Sequence, residues 1–200
     1  MVSTGVINID KPEGLTSMDV VRRIRKITNV RRVGHGGTLD PFASGVLPVA
    51  IGNATRLLEY MLNGDKAYYA EIELGKSTDT YDRSGKQTYM RDPSGVTESH
   101  VKEGLKEFEG DILQIPPMFS ALKSNGKKLY ELARQGIEVQ REARKVTVSR
   151  VELIDFKNPF LHIRISCGKG FYVRSLAHDL GNHLGCGGTL IKLRLSLIHI

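Results

Sequence analysis

KAYYAEIEL, residues 66–74, alternates along its whole length. Tyr68, Ala70, Ile72 and Leu74 point one way, and Tyr69, Glu71 and Glu73 the other, the period-two pattern of a half-buried strand. Residues 160–167, FLHIRISC, repeat it, with Leu161, Ile163, Ile165 and Cys167 set against His162, Arg164 and Ser166. A strand over 145–155 precedes them. Its Val146 and Val148 lie in one phase and Val151 and Leu153 in the other, which predicts a bulge near Ser149. Gly5–Asp10 and Val46–Ile51 read as two more strands.

Helical periods separate these strands. Thr16 and Asp19 form a capping-box spacing ahead of Val20, Val21, Ile24 and Ile27 on one face. A short helix is expected around Leu57–Met61, and longer ones over 99–108, 127–135 and 172–184. The last repeats Val173, Leu176, Ala177, Leu180 and Leu184. Residues 75–96 are rich in turn formers, and the adjacent prolines of QIPPMFSALK (114–123) forbid regular structure there. The fold class is therefore α+β, with a mixed or antiparallel sheet and helices packed on it.

The chain has 200 residues, enough for one good-sized domain, and a formal charge of +7. Residues 1–60 and 121–200 carry the basic excess, while residues 61–120 are net acidic. Two separated basic stretches can fold into one positive face, which makes a polyanion such as nucleic acid the first partner to consider. Cys167 and Cys186 are the only cysteines, without CxxC spacing, so neither a disulfide framework nor a zinc site is indicated. No run of 18 apolar residues and no cleavable leader pattern occur, and a cytoplasmic location is expected.

GHGGTLDPFASG, residues 34–45, has no hydrophobic period, and it is the first place to look for chemistry. Asp40 can serve as nucleophile, base or electrostatic stabiliser, or can simply cap a turn before Pro41. His35 can orient the loop, contact phosphate or hydrogen-bond in the core. Lys11-Pro12 makes a turn or brings a rigid positive residue beside the loop. Tyr68 is a core tyrosine or a ring that stacks on a flat heterocycle. Arg174, off the apolar stripe of its helix and following Phe171-Tyr172, would keep Asp40 ionised and oriented if the fold joined them. GHGG lacks the spacing of a nucleotide cradle, and no metal-ligand cluster or nucleophile elbow is present.

Five blocks in order give the chain a close likeness to the bacterial tRNA pseudouridine synthases that act on the T-loop uridine, tRNA uridine 55. They are DKPEGLTSMDVVRRIR (10–25), GHGGTLDPFASGVLPVAIGNATR (34–56), KAYYAEIELGKSTDTYDRSG (66–85), IPPMFSALKSNGKKLYELARQG (115–136) and CGKGFYVRSLAHDLGNHLG (167–185). The resemblance implies the pseudouridine synthase fold, a largely antiparallel mixed sheet flanked by helices around a central catalytic cleft. It implies isomerisation of uridine to pseudouridine, by moving the glycosidic bond from N1 to C5, without cofactor or metal.

By position, Asp40 matches the catalytic aspartate, Tyr68 the tyrosine that stacks on the target base, and Arg174 the arginine paired with the aspartate. Tyr172 matches a supporting pocket residue, His35 the histidine associated with the target nucleotide, and Lys11 and Pro12 the pair beside the cleft. The implied partner is a tRNA T-stem-loop, bound by a monomer. Arg22, Arg23, Arg31, Arg32, Lys123, Lys127, Lys128, Arg141, Arg144 and Lys145 are candidates for its phosphates.

The likeness ends near residue 185. Residues 1–185 are expected to form the catalytic domain. Residues 186–200, GCGGTLIKLRLSLIHI with the preceding Gly185, lack the family's closing Gly and Phe and read as an incomplete or atypical C-terminal segment, whose apolar tail LSLIHI (195–200) is either exposed, as a β-prone aggregation hazard, or packed as an edge strand. A chain so shortened has an alternative function, an RNA stem-loop-binding module without turnover. Phe42 and Phe171 stand where smaller residues are more usual.

Overall fold

In the computed structural model, which describes residues 3–61 and 64–198, twelve strands and five helices follow one another in a mixed order. The strands are β1 (Gly5–Lys11), β2 (Val33–His35), β3 (Ser44–Ile51), β4 (Lys66–Leu74), β5 (Lys76–Thr78), β6 (Gln87–Met90), β7 (Gly110–Gln114), β8 (Lys123–Ser124), β9 (Lys127–Lys128), β10 (Arg144–Lys157), β11 (Phe160–Cys167) and β12 (Gly188–Ile198). The helices are α1 (Ser17–Thr28), α2 (Leu58–Met61), α3 (Glu98–Lys106), α4 (Leu129–Arg134) and α5 (Val173–His183). A 3-10 turn over Gly52–Leu57 leads into α2.

The main sheet has the order β1-β3-β12-β4-β11-β10-β7, with β2 added on β3, while β5-β6 and β8-β9 form small hairpins. Every pairing in the main sheet is antiparallel except β12 on β3. It is the mixed, largely antiparallel sheet expected. β4 buries Ala70, Ile72 and Leu74 and turns Tyr69 outward, as its alternation requires. The register of β10 against β11 shifts between Val148 and Arg150, so the bulge forms at Ser149. A second shift, between Leu153 and Asp155, was not expected.

The capping box of α1 is complete: Asp19 N–H donates to Thr16 Oγ1 at 3.1 Å, and Thr16 N–H to Asp19 Oδ2 at 2.9 Å. Val20 and Val21 are buried, but Ile27 is 77% exposed because the last turn of α1 runs past the core. Val173, Leu176, Ala177 and Leu180 of α5 are buried, and burial of each larger side chain contributes roughly 1.5–3 kcal/mol. The helix approaches the Gly187-Gly188 backbone so closely that a Cβ on Gly181 would lie 2.0 Å from Gly188 N. Phe42 and Phe171 are both buried in the core.

The C-terminal segment corrects the expectation of an exposed tail or an edge strand. β12 lies inside the sheet, between β3 and β4. Leu190, Leu193 and Leu195 face the core and Lys192 and Arg194 face out, so the described leucines of β12, Leu195 of the apolar tail among them, fill an interior row. Its parallel contact with β3 is short, Arg194 with Ser44 and Leu195 with Gly45. Residues 199–200 lie outside the described residues.

Candidate active site

β3 positions the loop that carries Asp40. β1 pairs with one edge of β3, leaving β2 and β12 to share the other, β12 at Ser44 and Gly45 and β2 at Val49–Ile51. The loop over 36–43 leaves the sheet at the end of β2 and returns beside β12. Leu39 and Ala43 are buried on either side of Asp40. Ser17 of α1 clamps Leu39, accepting from its N–H at 3.0 Å and donating to its carbonyl at 3.3 Å. Gly14 N–H donates to the Pro41 carbonyl at 2.7 Å, and Ala43 N–H to the Asp40 carbonyl at 3.0 Å. Asp40 is therefore held by its neighbours on both sides while its own side chain stays 31% exposed.

Arg174, in the first turn of α5, meets that carboxylate across 134 residues of sequence. Its Nε lies 2.9 Å from Asp40 Oδ2 and its Nη2 3.2 Å from Oδ1. The same guanidinium donates from Nη2 to the Phe119 carbonyl at 2.9 Å and from Nη1 to the Thr80 carbonyl at 3.2 Å. Arg174 is 5% exposed, a buried cation surrounded by acceptors. Such a planar fork fixes a carboxylate's direction as well as its charge.

A second carboxylate, Asp82, completes the cluster and was missed in reading the sequence. It is buried, with Oδ2 3.6 Å from Arg174 Nη1 and Oδ1 accepting from Thr80 Oγ1 at 2.8 Å and Ser84 N–H at 2.9 Å. The available signal was the pair of hydroxyl residues two positions before and after it, a spacing that satisfies a carboxylate locally.

Burial pushes the Asp40 carboxyl above the usual range, Arg174 pulls it down, and Asp82 adds repulsion. The net direction is upward, which makes Asp40 a stronger base than an exposed aspartate. Lys11, fully buried at the end of β1, lies within electrostatic reach of Asp40 and donates to the carbonyls of Pro12 at 3.0 Å and Leu15 at 2.8 Å. Burial lowers its pKa. Pro12 is exposed and shapes the turn.

Tyr68, on the apolar face of β4, lies within electrostatic reach of the same carboxylate. Burial raises the pKa of its phenol, with Cys167 and Asp40 adding to the effect, so the ring stays neutral. In the sheet, Leu195 pairs with Tyr68 on one side and Gly45 on the other, so a single row of residues sets Tyr68 beside the return of the Asp40 loop. Tyr172 caps α5; its N–H donates to Gln114 Oε1 at 2.8 Å, and its carbonyl accepts from Gln114 Nε2 at 3.1 Å. Burial raises its phenol, and Arg174 and Asp40 both lie within electrostatic reach.

His35 stands at the end of β2, opposite Val49, rather than in the charged cluster. Burial lowers its pKa, and its Nδ1 has no hydrogen-bond partner among the described residues. Of the expected phosphate ligands, Arg22 is paired with Asp19 and Lys145 with Asp111. Arg141 is largely buried, bonding the Pro116 carbonyl at 3.1 Å. Arg23, Arg31, Arg32, Lys123, Lys127 and Arg144 are exposed, and Lys128 is half-buried. Two cavities of about 460 and 260 Å³ lie toward the far end of α5, lined by residues such as His100, His183 and Asn182; Asp40 does not line either.

Comparison with known proteins identifies the family of the chain. The chain is 52% identical over 189 residues to tRNA pseudouridine synthase B of Dehalococcoides mccartyi, covering 94% of this chain and 63% of that protein. It is 50% identical to the protein of the same name from Clostridium acetobutylicum, covering 94% and 65%. This chain thus spans less than two thirds of either relative. Among solved structures it superimposes on a Cbf5-Nop10-Gar1 complex with a TM-score of 0.76 and 36% identity, covering 98% of this chain and 49% of that one. For an H/ACA RNP bound to a substrate RNA containing 2′-deoxyuridine, the TM-score is 0.71 at 34% identity, over 97% and 47%. Residues 25–173 match the TruB family pseudouridylate synthase (N terminal domain), and the chain belongs to that family.

Proposed function

We propose that this chain isomerises a specific uridine of the tRNA T-loop, uridine 55, to pseudouridine. The observation that carries the reading is the two-point grip of Arg174 on Asp40, within electrostatic reach of the Tyr68 phenol. The target base must leave its stack to reach Asp40, at a cost of a few kcal/mol. Tyr68 offers an aromatic face that returns about 1–3 kcal/mol. The reaction breaks the bond from ribose C1′ to uracil N1 and forms one from C1′ to uracil C5; C5 gives up a proton and N1 gains one, with no net oxidation or hydrolysis.

Asp40 has two chemical routes open to a carboxylate: removal of the ribose C2′ proton as uracil N1 leaves C1′, the proton returning to C2′ when C5 bonds C1′, or attack on C1′ with N1 as leaving group, C5 then displacing the carboxylate. We favour proton removal, because burial makes Asp40 more basic while Arg174 limits its rotamers. Deuterium at C2′ would then slow a single turnover, whereas direct attack would leave the rate nearly unchanged.

The test of the activity is incubation with unmodified tRNA and mapping of pseudouridine at single-nucleotide resolution. The expected product is at position 55, and Asp40→Ala should abolish it while leaving RNA binding within about twofold. Normal turnover by the Asp40→Ala protein would refute the assignment. A different outcome would select another reading, that of an RNA stem-loop-binding module without turnover. Salt-sensitive RNA binding without any product would select it.

A further inference from the structure

Tyr81 has a φ of 63°, in the left-handed region that a bulky side chain rarely adopts and glycine adopts freely. Such a conformation persists only where the surroundings over-determine it. Here the ring stacks on His178 of α5, with centroids 3.9 Å apart and planes 10° from parallel. The residues on either side of Tyr81, Thr80 and Asp82, are the two that meet Arg174 Nη1. His178 lies four residues after Arg174, on the same face of α5. The stack and the guanidinium contacts are thus successive rungs between one turn and one helix face.

Asn182 makes a third rung, its Nδ2 lying 3.0 Å from His178 Nε2. For the amide to donate, Nε2 must carry the lone pair and Nδ1 the proton. Burial and the nearby Arg141 both lower the pKa of His178, which keeps the imidazole neutral and suited to stacking. The backbone of the turn is pinned at the same point. Tyr81 N–H donates to the Thr78 carbonyl at 3.2 Å, and its own carbonyl accepts from Leu190 N–H at 3.1 Å.

We propose that Tyr81 and His178 are a positioning pair for the isomerisation: their stack holds the Thr80 carbonyl and the Asp82 carboxylate so that Arg174 presents its Nε and Nη2 edge to Asp40. The proposal rests on the reading of Asp40 as the reacting group. Neither ring touches Asp40; both act through Arg174. Were the stack only packing, its loss would lower stability and leave Asp40 unchanged.

Three variants test this in the full chain. Tyr81→Gly removes the ring while suiting the backbone angle, His178→Ala removes the other partner, and His178→Phe keeps a ring to stack. Asp40 is followed by carboxyl ¹³C NMR titration, and single-turnover rate and RNA affinity are measured separately on an unmodified T-arm stem-loop. Tyr81→Gly and His178→Ala should raise the Asp40 titration by at least about half a pH unit, as a loosened cation would. They should slow turnover about tenfold with affinity unchanged, and His178→Phe should restore both. An unmoved Asp40 titration in both variants overturns the proposal, whatever the rate or the melting temperature does. Absence of turnover in the unsubstituted chain would refute the activity instead, and the Asp40 titration alone would then decide the positioning role.

Discussion

Arg174 grips Asp40 through two nitrogens, Nε on Oδ2 at 2.9 Å and Nη2 on Oδ1 at 3.2 Å, and its Nη1 faces Asp82. A single cation between two carboxylates is neither surplus charge nor a simple pair. It offsets part of the desolvation of Asp40 and fixes which carboxylate lone pairs remain available to a substrate.

Lysine cannot reproduce that fork, because its ammonium is a point donor on a flexible stem. Arg174→Lys should lower the single-turnover rate on the order of 100- to 1,000-fold, comparable with losing one preorganised donor at a reacting group. RNA affinity should change little. A rate within threefold of the unsubstituted protein would show that direction of the carboxylate is unimportant.

Asp82→Asn keeps an oxygen for Thr80 and Ser84 but removes one of the two charges facing Arg174. With less repulsion beside it and a less shared cation, Asp40 should titrate lower and become a weaker base. The expected result is a turnover rate reduced at least about tenfold with the fold intact, checked by single-turnover kinetics beside circular dichroism.

Gly45 is the position where β12 meets β3. It has φ 113°, and a Cβ there would lie 2.1 Å from the Leu195 carbonyl oxygen. Gly45→Ala combines a backbone conformation unsuited to alanine with a clash against main chain. It should destabilise the protein by more than about 3 kcal/mol, read from denaturant unfolding.

Asp179, on α5, has its pKa pushed up to about 6 by burial alone. A carboxyl raised above its unfolded value near pH 4 contributes stability that is fully present below that pH and lost as pH rises through about 6. Asp179→Asn should flatten this part of the pH–stability profile and gain about 1–2 kcal/mol at neutral pH, discounted for partial exposure. An unchanged profile between pH 4 and 6 would show that Asp179 is solvated in the folded protein.

Local order is legible in the sequence itself. The alternation of β4 and β11, the Thr16–Asp19 box, the bulge at Ser149 and the apolar stripe of α5 all follow from geometry that repeats within a few residues. Asp40, Tyr68 and Arg174 could be nominated from their residue types, their surroundings and the family likeness.

What sequence alone could not supply was every relation that depends on distant chain segments folding together. Leu190, Leu193 and Leu195 read the same in an exposed tail, an edge strand or an interior one; only the partners on both sides make β12 central. Asp82 stands among turn formers, and only the docking of α5 brings Arg174 against it. Ile27 fits the stripe of α1 yet lies in water, because the core ends before the helix does. Periodicity records which way a side chain points, a property of neighbouring backbone angles. Which surface it meets is set by strand order and helix docking, where burial summed over the whole domain decides.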